Sequence, residues 1–291
     1  MDPRLQRRIQ RYGWDLAVDD YEPMWQRQLA EAQQRLVILA ALQRGERVLD
    51  IACGTGLIAF EAARAVGPDG YVLGVDLSGR MVDAARSRAA NWQRPPLAFE
   101  RMDAERLDLP DGDFDVVLCS LGLMYVPDPA QALREMRRVL RPNGRVVVSV
   151  WGERAHCGWS PVFAIVDEEV KSEVCPLFFQ LGQRDALAQA CSAARFRDVR
   201  STRLNTTLSY VDAEEACDAA FVGGPVALAW SRFDETVRER ARARYIASIA
   251  PWRQGERYEV PGEFVIVSGR AAATAADIPT VDAPAADAFA R

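Results

Sequence analysis

The apolar positions of this chain keep three different periods. Over residues 1–44 they recur at helical spacing in a polar background. Leu29, Leu36, Ile38, Leu39 and Leu42 predict one face of a helix over 21–42. From 47 to 152, short and nearly continuous apolar runs alternate with amphipathic ones. The runs predict strands over 48–51, 71–76, 97–102, 114–121 and 145–150. The stretches between predict helices over 57–66, 81–91 and 130–140, the last stopped by Pro142-Asn143-Gly144. Strands apolar on both faces and alternating with helices make a parallel sheet covered on both sides, an α/β fold. Beyond Trp151 the alternation breaks down. Helices are predicted near 161–174, 183–194, 213–221 and 235–249, with a strand at 198–208 and closing β pieces at 257–260 and 263–269. Residues 271–291, rich in Ala, Asp, Pro and Thr, read as a disordered tail.

The chemistry concentrates after the first strand. Val48-Leu49-Asp50-Ile51 runs into Ala52-Cys53-Gly54-Thr55-Gly56, and a helix follows at once. Strand, glycine turn and helix let backbone N–H groups approach a ligand closely. Gly54-Thr55-Gly56-Leu57-Ile58-Ala59 also satisfies the G-x-G-x-x-A dinucleotide pattern. Asp50, at the strand's end, would repel a pyrophosphate and suits a cationic ligand. Asp76 closes the second strand 22 residues after Gly54, where an acidic side chain meets ribose hydroxyls. A helix N-cap is its structural alternative.

Val-Leu-Asp-Ile-Ala-Cys-Gly-Thr-Gly resembles motif I of the class I S-adenosylmethionine (SAM)-dependent methyltransferases. The runs 107–115 and 139–145 resemble the ubiquinone/menaquinone-type, UbiE-like branch (methyltransferase type 11). The likeness covers about residues 12–155, and the rest only in outline. It implies a Rossmann-like seven-stranded sheet in the order 3-2-1-4-5-7-6, strand seven antiparallel, with a helical cap inserted. The expected division is an N-terminal helical lid (1–44), a SAM-binding core (45–152), a cap with closing strands (153–270) and the tail (271–291). The implied SAM contacts are Asp50, Ala52, Cys53, Gly54 and Gly56 near the turn and Asp76 at the ribose. Leu77 and Met81 lie beside the adenine, Asp103 and Ala104 at its edge, and Ser120 at the end of strand four. Ala52 stands where the family commonly has glycine. The acceptor pocket is expected around Trp14, Tyr21, Tyr125 and Trp151, although Trp14, Tyr21 and Trp25 equally suit a staple holding the first helix to the core.

Methyl transfer from a sulfonium relies on positioning and desolvation, and a base matters only for a hydroxyl, ammonium or carbon-acid acceptor. His156, the only histidine, follows strand five and is the candidate base, with Tyr21 beside it. Tyr125 stands where the family often has histidine, which weakens any transferred mechanism. The reading is a methyltransferase acting on oxygen or carbon of a small aromatic, quinone-like or polyketide-like acceptor. A SAM-binding protein with other chemistry or a non-catalytic partner role stays open, and more remotely an NAD-linked oxidoreductase.

Composition narrows the partners. The 291 residues are 49% hydrophobic and 26% charged with formal net charge −5, and the basic residues are scattered, which argues against nucleic acid and anionic membranes. Six cysteines without a C-x-x-C point to a reducing compartment and no metal. No apolar run is long enough for a signal core or a span, so the expectation is a cytoplasmic protein with no integral membrane contact. A homodimer is left open.

Overall fold

The structure, a computed structural model, describes residues 2–93, 96–171, 175 and 177–272. Its strands are β1 (Arg47–Ile51), β2 (Tyr71–Asp76), β3 (Leu97–Arg101), β4 (Phe114–Ser120), β5 (Leu140–Trp151), β6 (Arg197–Tyr210), β7 (Arg253–Gln254) and β8 (Arg257–Arg270). They form one sheet in the order β3-β2-β1-β4-β5-β8-β6, with β7 paired to β8 off that path. β1 to β5 are parallel, and β8 runs antiparallel to both β5 and β6. This is the expected order, with a two-residue β7 making eight strands rather than seven. The closing β pieces are one strand, which passes straight through Pro261. The proline fits because β5 ends opposite Phe264, so at Pro261 that side of β8 is an edge and no ladder N–H is lost.

Side chains alternate across the sheet. Leu49, Ile51, Leu73, Val75 and Val117 enter one core, and Val48, Val72, Val116 and Leu118 the other. Both faces are therefore buried, which explains why the strands read as continuous apolar runs.

The helices are α1 (Pro3–Ala40), α2 (Leu57–Val66), α3 (Gly79–Ala89), α4 (Pro129–Val139), α5 (Pro161–Val170), α6 (Ala186–Ala193), α7 (Ala213–Phe221), α8 (Ala227–Trp230) and α9 (Glu235–Ile249). α1 is a single helix of 38 residues through Pro23, where only 21–42 carried a clear helical stripe. Asp2 caps it by accepting the Arg4 N–H. At ~1.5 Å per residue it spans roughly 57 Å, and along that length it meets Asp103 beyond β3 through Arg7 and β5 through the Ala40 carbonyl, which accepts from Arg145. Its second half buries Trp25, Gln28, Leu29, Ala32, Leu36 and Ala40, whereas its first half buries Gln6, Gln10, Gly13, Ala17 and Val18. α7, α8 and α9 lie between β6 and β8 in sequence. Phe221 stacks on Trp230 with ring centroids 4.5 Å apart and meets Tyr245 edge-on at 5.5 Å. Each such buried aromatic contributes about 1.5–3 kcal/mol by leaving water. Trp25 donates its Nε1–H to the Ala219 carbonyl at 3.0 Å, fastening α1 to α7. α5 stops at Val170, where Lys171 turns left-handed (φ +54°), short of the expected 174; residues 172–174 and nearly all of the expected tail, from 273 on, lie outside the described residues.

Candidate functional site

The site opens at the carboxyl ends of β1, β2 and β4. After β1 the backbone enters the left-handed region at Ala52 (φ +55°), Gly54 (+55°) and Gly56 (+92°). Gly54 is needed on the open side, where a Cβ would lie 3.8 Å from the Tyr21 ring. Gly56 faces inward instead. A Cβ there would come within 2.9 Å of the Phe99 ring, so this glycine serves helix–sheet packing and does not line the cleft. α2 then begins without a side-chain cap.

A cleft of about 810 Å³, part of it open to solvent, runs from this turn across the end of β2. Ala52, Gly54, Asp76, Leu77, Met81, Asp103, Ala104 and Ser120 all line it. One Asp76 oxygen accepts the Gly54 N–H at 2.9 Å and the other the Ser78 N–H at 2.8 Å. Burial raises the Asp76 pKa, and those N–H groups oppose the rise. Each oxygen keeps a lone pair for a further donor. Asp103 accepts the Glu105 N–H at 3.0 Å and pairs with Arg7 Nε at 3.1 Å. Ser78, besides capping α3 through the Met81 N–H, donates to Asp15 of α1 at 2.6 Å. α1 thus forms the cleft's roof and is held to its rim by polar contacts.

Asp50 lies deeper, only 1% exposed, beside a small polar cavity with Tyr21, Gln33, Cys53 and Ser120. Neither carboxylate oxygen has a hydrogen-bond partner of normal geometry. Burial, then the charge of Asp76, lifts its pKa well above the ordinary carboxylate value, with the nearby Ala59 N–H opposing. An unpartnered buried carboxylate is costly, and a cation placed beside it removes the cost. Tyr21 touches all three cavities. Burial, followed by Asp76, Glu22 and Asp50, raises its phenol pKa, so it can donate a hydrogen bond but cannot take up a proton at neutral pH.

A second cavity, about 340 Å³, adjoins the cleft and shares Trp14, Tyr21, Leu121 and Tyr125 with it. Trp25, Trp151 and Trp159 complete its aromatic wall, and no charged residue lines it. Trp14 stands edge-on to Tyr21 at 5.7 Å and to Tyr125 at 5.3 Å. Trp151, expected in the acceptor pocket, lines this cavity only, and Cys53 lines only the small one beside Asp50.

His156 needs correction. It is 54% exposed on the surface, its Nδ1 is 3.1 Å from Glu263, and it lines none of these cavities. The loop after β5 turns back along β8 and takes the imidazole away from the cleft. Sequence reasoning missed Arg7 and Gln10 on the cleft roof, and it offered Trp25 as a helix staple or a ligand cover and Trp159 only as one of several cap aromatics, where the structure puts both in the aromatic wall. Arg7 was findable, since 7, 14 and 21 fall on one helical face. Which of the cap aromatics reach the wall was not legible, because that depends on how the loop after β5 folds back.

Comparison with known proteins agrees with this geometry. Residues 48–144 match the family described as "Methyltransferase domain". The chain is 36% identical over 125 residues to a demethylmenaquinone methyltransferase of Listeria monocytogenes, covering 43% of this chain and 53% of that protein. It is 37% identical over 126 residues to the ubiquinone/menaquinone biosynthesis C-methyltransferase UbiE of Pseudomonas fluorescens, covering 43% and 49%. The chain therefore spans about half the length of these relatives. Among solved structures, the YcgJ protein of Bacillus subtilis superposes with a TM-score of 0.60 at 18% identity, covering 84% of this chain and 99% of that one.

Proposed function

We propose, from the premise that residues 48–144 are a class I SAM-dependent methyltransferase domain of the UbiE-like branch, that this chain methylates a small, planar, apolar acceptor. The residues fit SAM better than a dinucleotide. Three carboxylates, Asp50, Asp76 and Asp103, sit near the ends of β1, β2 and β3, the orphaned one deepest, and such a crevice repels a diphosphate. Asp76 would hold the ribose hydroxyls and Leu77 and Met81 the adenine faces. Asp103 and Ala104 would meet the adenine edge, and Asp50 with Gly54 the amino-acid end. Bound SAM supplies an electrophilic methyl group on a sulfonium.

The observation that carries the acceptor class is the uncharged aromatic cavity joined to the cleft through Trp14, Tyr21, Leu121 and Tyr125. Its walls would hold a flat ring and exclude water, so positioning does most of the catalytic work. Neither the cleft nor this cavity presents a histidine, and Tyr21 stays protonated. Both observations favour an acceptor that arrives already nucleophilic, as a phenolate, enolate or electron-rich hydroquinone carbon. The relatives named for quinone biosynthesis make a hydroquinone the first acceptor to try.

The test is incubation with methyl-labelled SAM and either a demethylmenaquinol analogue, a simple phenol or a cell extract. Label moving into an organic-extractable small molecule supports the proposal. SAM binding by calorimetry without transfer to any of these would instead favour a SAM-binding protein with other chemistry.

A further inference from the structure

The first four turns of α1, residues 3–17, turn polar and small residues inward. Their buried positions are Gln6, Gln10, Gly13 and Ala17, and the first sizeable buried apolar side chain is Val18, just beyond them. Leu5, Tyr12 and Leu16 are 38%, 47% and 45% exposed, and Ile9 between them is half-buried. Positions 5, 9, 12 and 16 follow the i, i+4, i+7, i+11 period of a helical apolar stripe, so the four share one face. That stripe runs for ~17 Å along the outside of the cleft's roof. Folding of this chain gives no reason for it. The inward side is satisfied by polar contacts: Arg7 with Asp103 and Glu105, Asp15 with Ser78, and Arg80 with Asp19.

Beside the stripe lies a row of cations. Arg4, Arg8 and Arg11 repeat at i, i+4, i+7, and none has a carboxylate partner among the described residues. Arg11 lies over the Tyr12 ring, 4.4 Å from its centroid. Of the acids around this row, Asp2 caps the helix by accepting the Arg4 N–H, and Asp15 and Asp19 are engaged by Ser78 and Arg80. A second copy of this face would therefore bring three more unpaired arginines, not partners. An interface of aliphatic and aromatic side chains flanked by arginines is what an anionic bilayer surface complements. The net charge of −5 and the overall scatter of basic residues speak against an anionic membrane for the chain as a whole, but a charge patch acts over about 8–10 Å at physiological salt and the chain's acids lie mostly elsewhere.

We propose that the first half of α1 is a peripheral docking face for anionic lipid membranes, with Leu5, Ile9, Tyr12 and Leu16 entering the interface and Arg4, Arg8 and Arg11 meeting the headgroups. No helix among the described residues is long and apolar enough to cross a membrane, so the contact is superficial. Because the opposite side of the same helix roofs the cleft, docking would put the site next to the lipid phase. The proposal stands whether or not the protein transfers methyl groups.

The test is co-sedimentation of the full chain with vesicles, without SAM or acceptor. One set is pure phosphatidylcholine, the other equal parts phosphatidylcholine and phosphatidylglycerol. We expect partitioning into the anionic vesicles at least about tenfold above the neutral ones, weakening as salt rises from about 0.1 M to about 0.5 M. Leu5→Gln/Leu16→Gln and Arg4→Gln/Arg8→Gln should each lower the partition coefficient about tenfold or more while leaving Tm unchanged. No preference for anionic vesicles would overturn the proposal, as would unchanged binding by both variants. A dimer in sedimentation velocity that dissociates in the Leu5→Gln/Leu16→Gln variant would overturn it in favour of a second copy.

Discussion

The carboxylate of Asp76 accepts the backbone N–H of Gly54 at 2.9 Å, bridging the ends of two neighbouring strands. One side chain thus fixes the glycine turn and presents the oxygens proposed to meet the ribose. Asp76→Asn keeps the shape but replaces an acceptor with a donor facing an N–H, and Asp76→Ala leaves that N–H unpaired. Hydrogen bonds to a charged group contribute about 1.5–3 kcal/mol, so SAM affinity should fall roughly 10- to 100-fold in either variant. Titration calorimetry measures this, and an unchanged Kd would remove Asp76 from the cofactor site.

Asp50 makes the affinity depend on pH. Burial and Asp76 hold its pKa above the unfolded value, so between the two values the folded protein binds more protons than the unfolded chain. Stability of the ligand-free protein therefore falls as pH rises through that window. A cation beside Asp50 favours the ionised form, so SAM binding should release a proton and tighten with pH until the ligand-free pKa is passed. Asp50→Asn should flatten both dependences, stabilise the ligand-free protein and weaken SAM binding. Melting curves across pH, and calorimetry in buffers of different ionisation enthalpy, check the pair of signs. A wild-type Tm that rises with pH where the variant's is flat would contradict the assignment.

Much of this was legible in sequence where local rules act alone. β1, β2 and β4 announced themselves because strands buried on both faces leave few polar positions, and Asp50, Asp76 and Asp103 stood out as carboxylates at or just past strand ends. What escaped depended on contacts between distant segments. Pro261 split β8 in the reading, since sequence does not show that β5 stops short of it. The place of His156 after β5 suggests a base, but its Nδ1 lies 3.1 Å from Glu263, 107 positions later, away from the cleft. The first half of α1 was obscure for a different reason, its apolar face being turned away from the core.

The tightest backbone contact of the site is between two turns. A Cβ on Gly122 would fall 2.2 Å from the Ala52 Cβ, with no flexible side chain to give way. Gly122→Ala should therefore cost about 1–3 kcal/mol and lower Tm by several degrees. Ala52→Gly removes the opposing atom and relieves a left-handed alanine at φ +55°. The double variant should recover part of the loss, giving a non-zero coupling energy in a thermal-melt cycle. Additive effects would mean the turns are not in contact.

His156 offers a control. Because it lines none of the cavities, His156→Asn should leave kcat and KM for any identified acceptor within about twofold, with a stability change under about 1 kcal/mol. Glu263 keeps Arg203 at 2.7 Å in its absence. A loss of kcat of about 100-fold would restore the histidine as a base acting through a rearranged loop.

Trp159 is the sharpest probe of the acceptor. It is 1% exposed, lines the aromatic cavity, and its Nε1–H has no hydrogen-bond partner, whereas the Trp25 N–H is satisfied by Ala219. Leaving such a donor buried costs about 1–3 kcal/mol, which an acceptor oxygen would recover on binding. Trp159→Phe should then raise KM about tenfold for acceptors with an oxygen at the ring edge. For deoxy analogues KM should rise only by what the lost ring volume costs, clearly less than about tenfold, with kcat nearly constant in both cases. The lost ring volume weakens both acceptor classes alike, so the difference between them isolates the N–H. If the two classes lose equally, the donor points instead at the Phe178 ring, which Trp159 meets edge-on at 5.7 Å, and its role is packing.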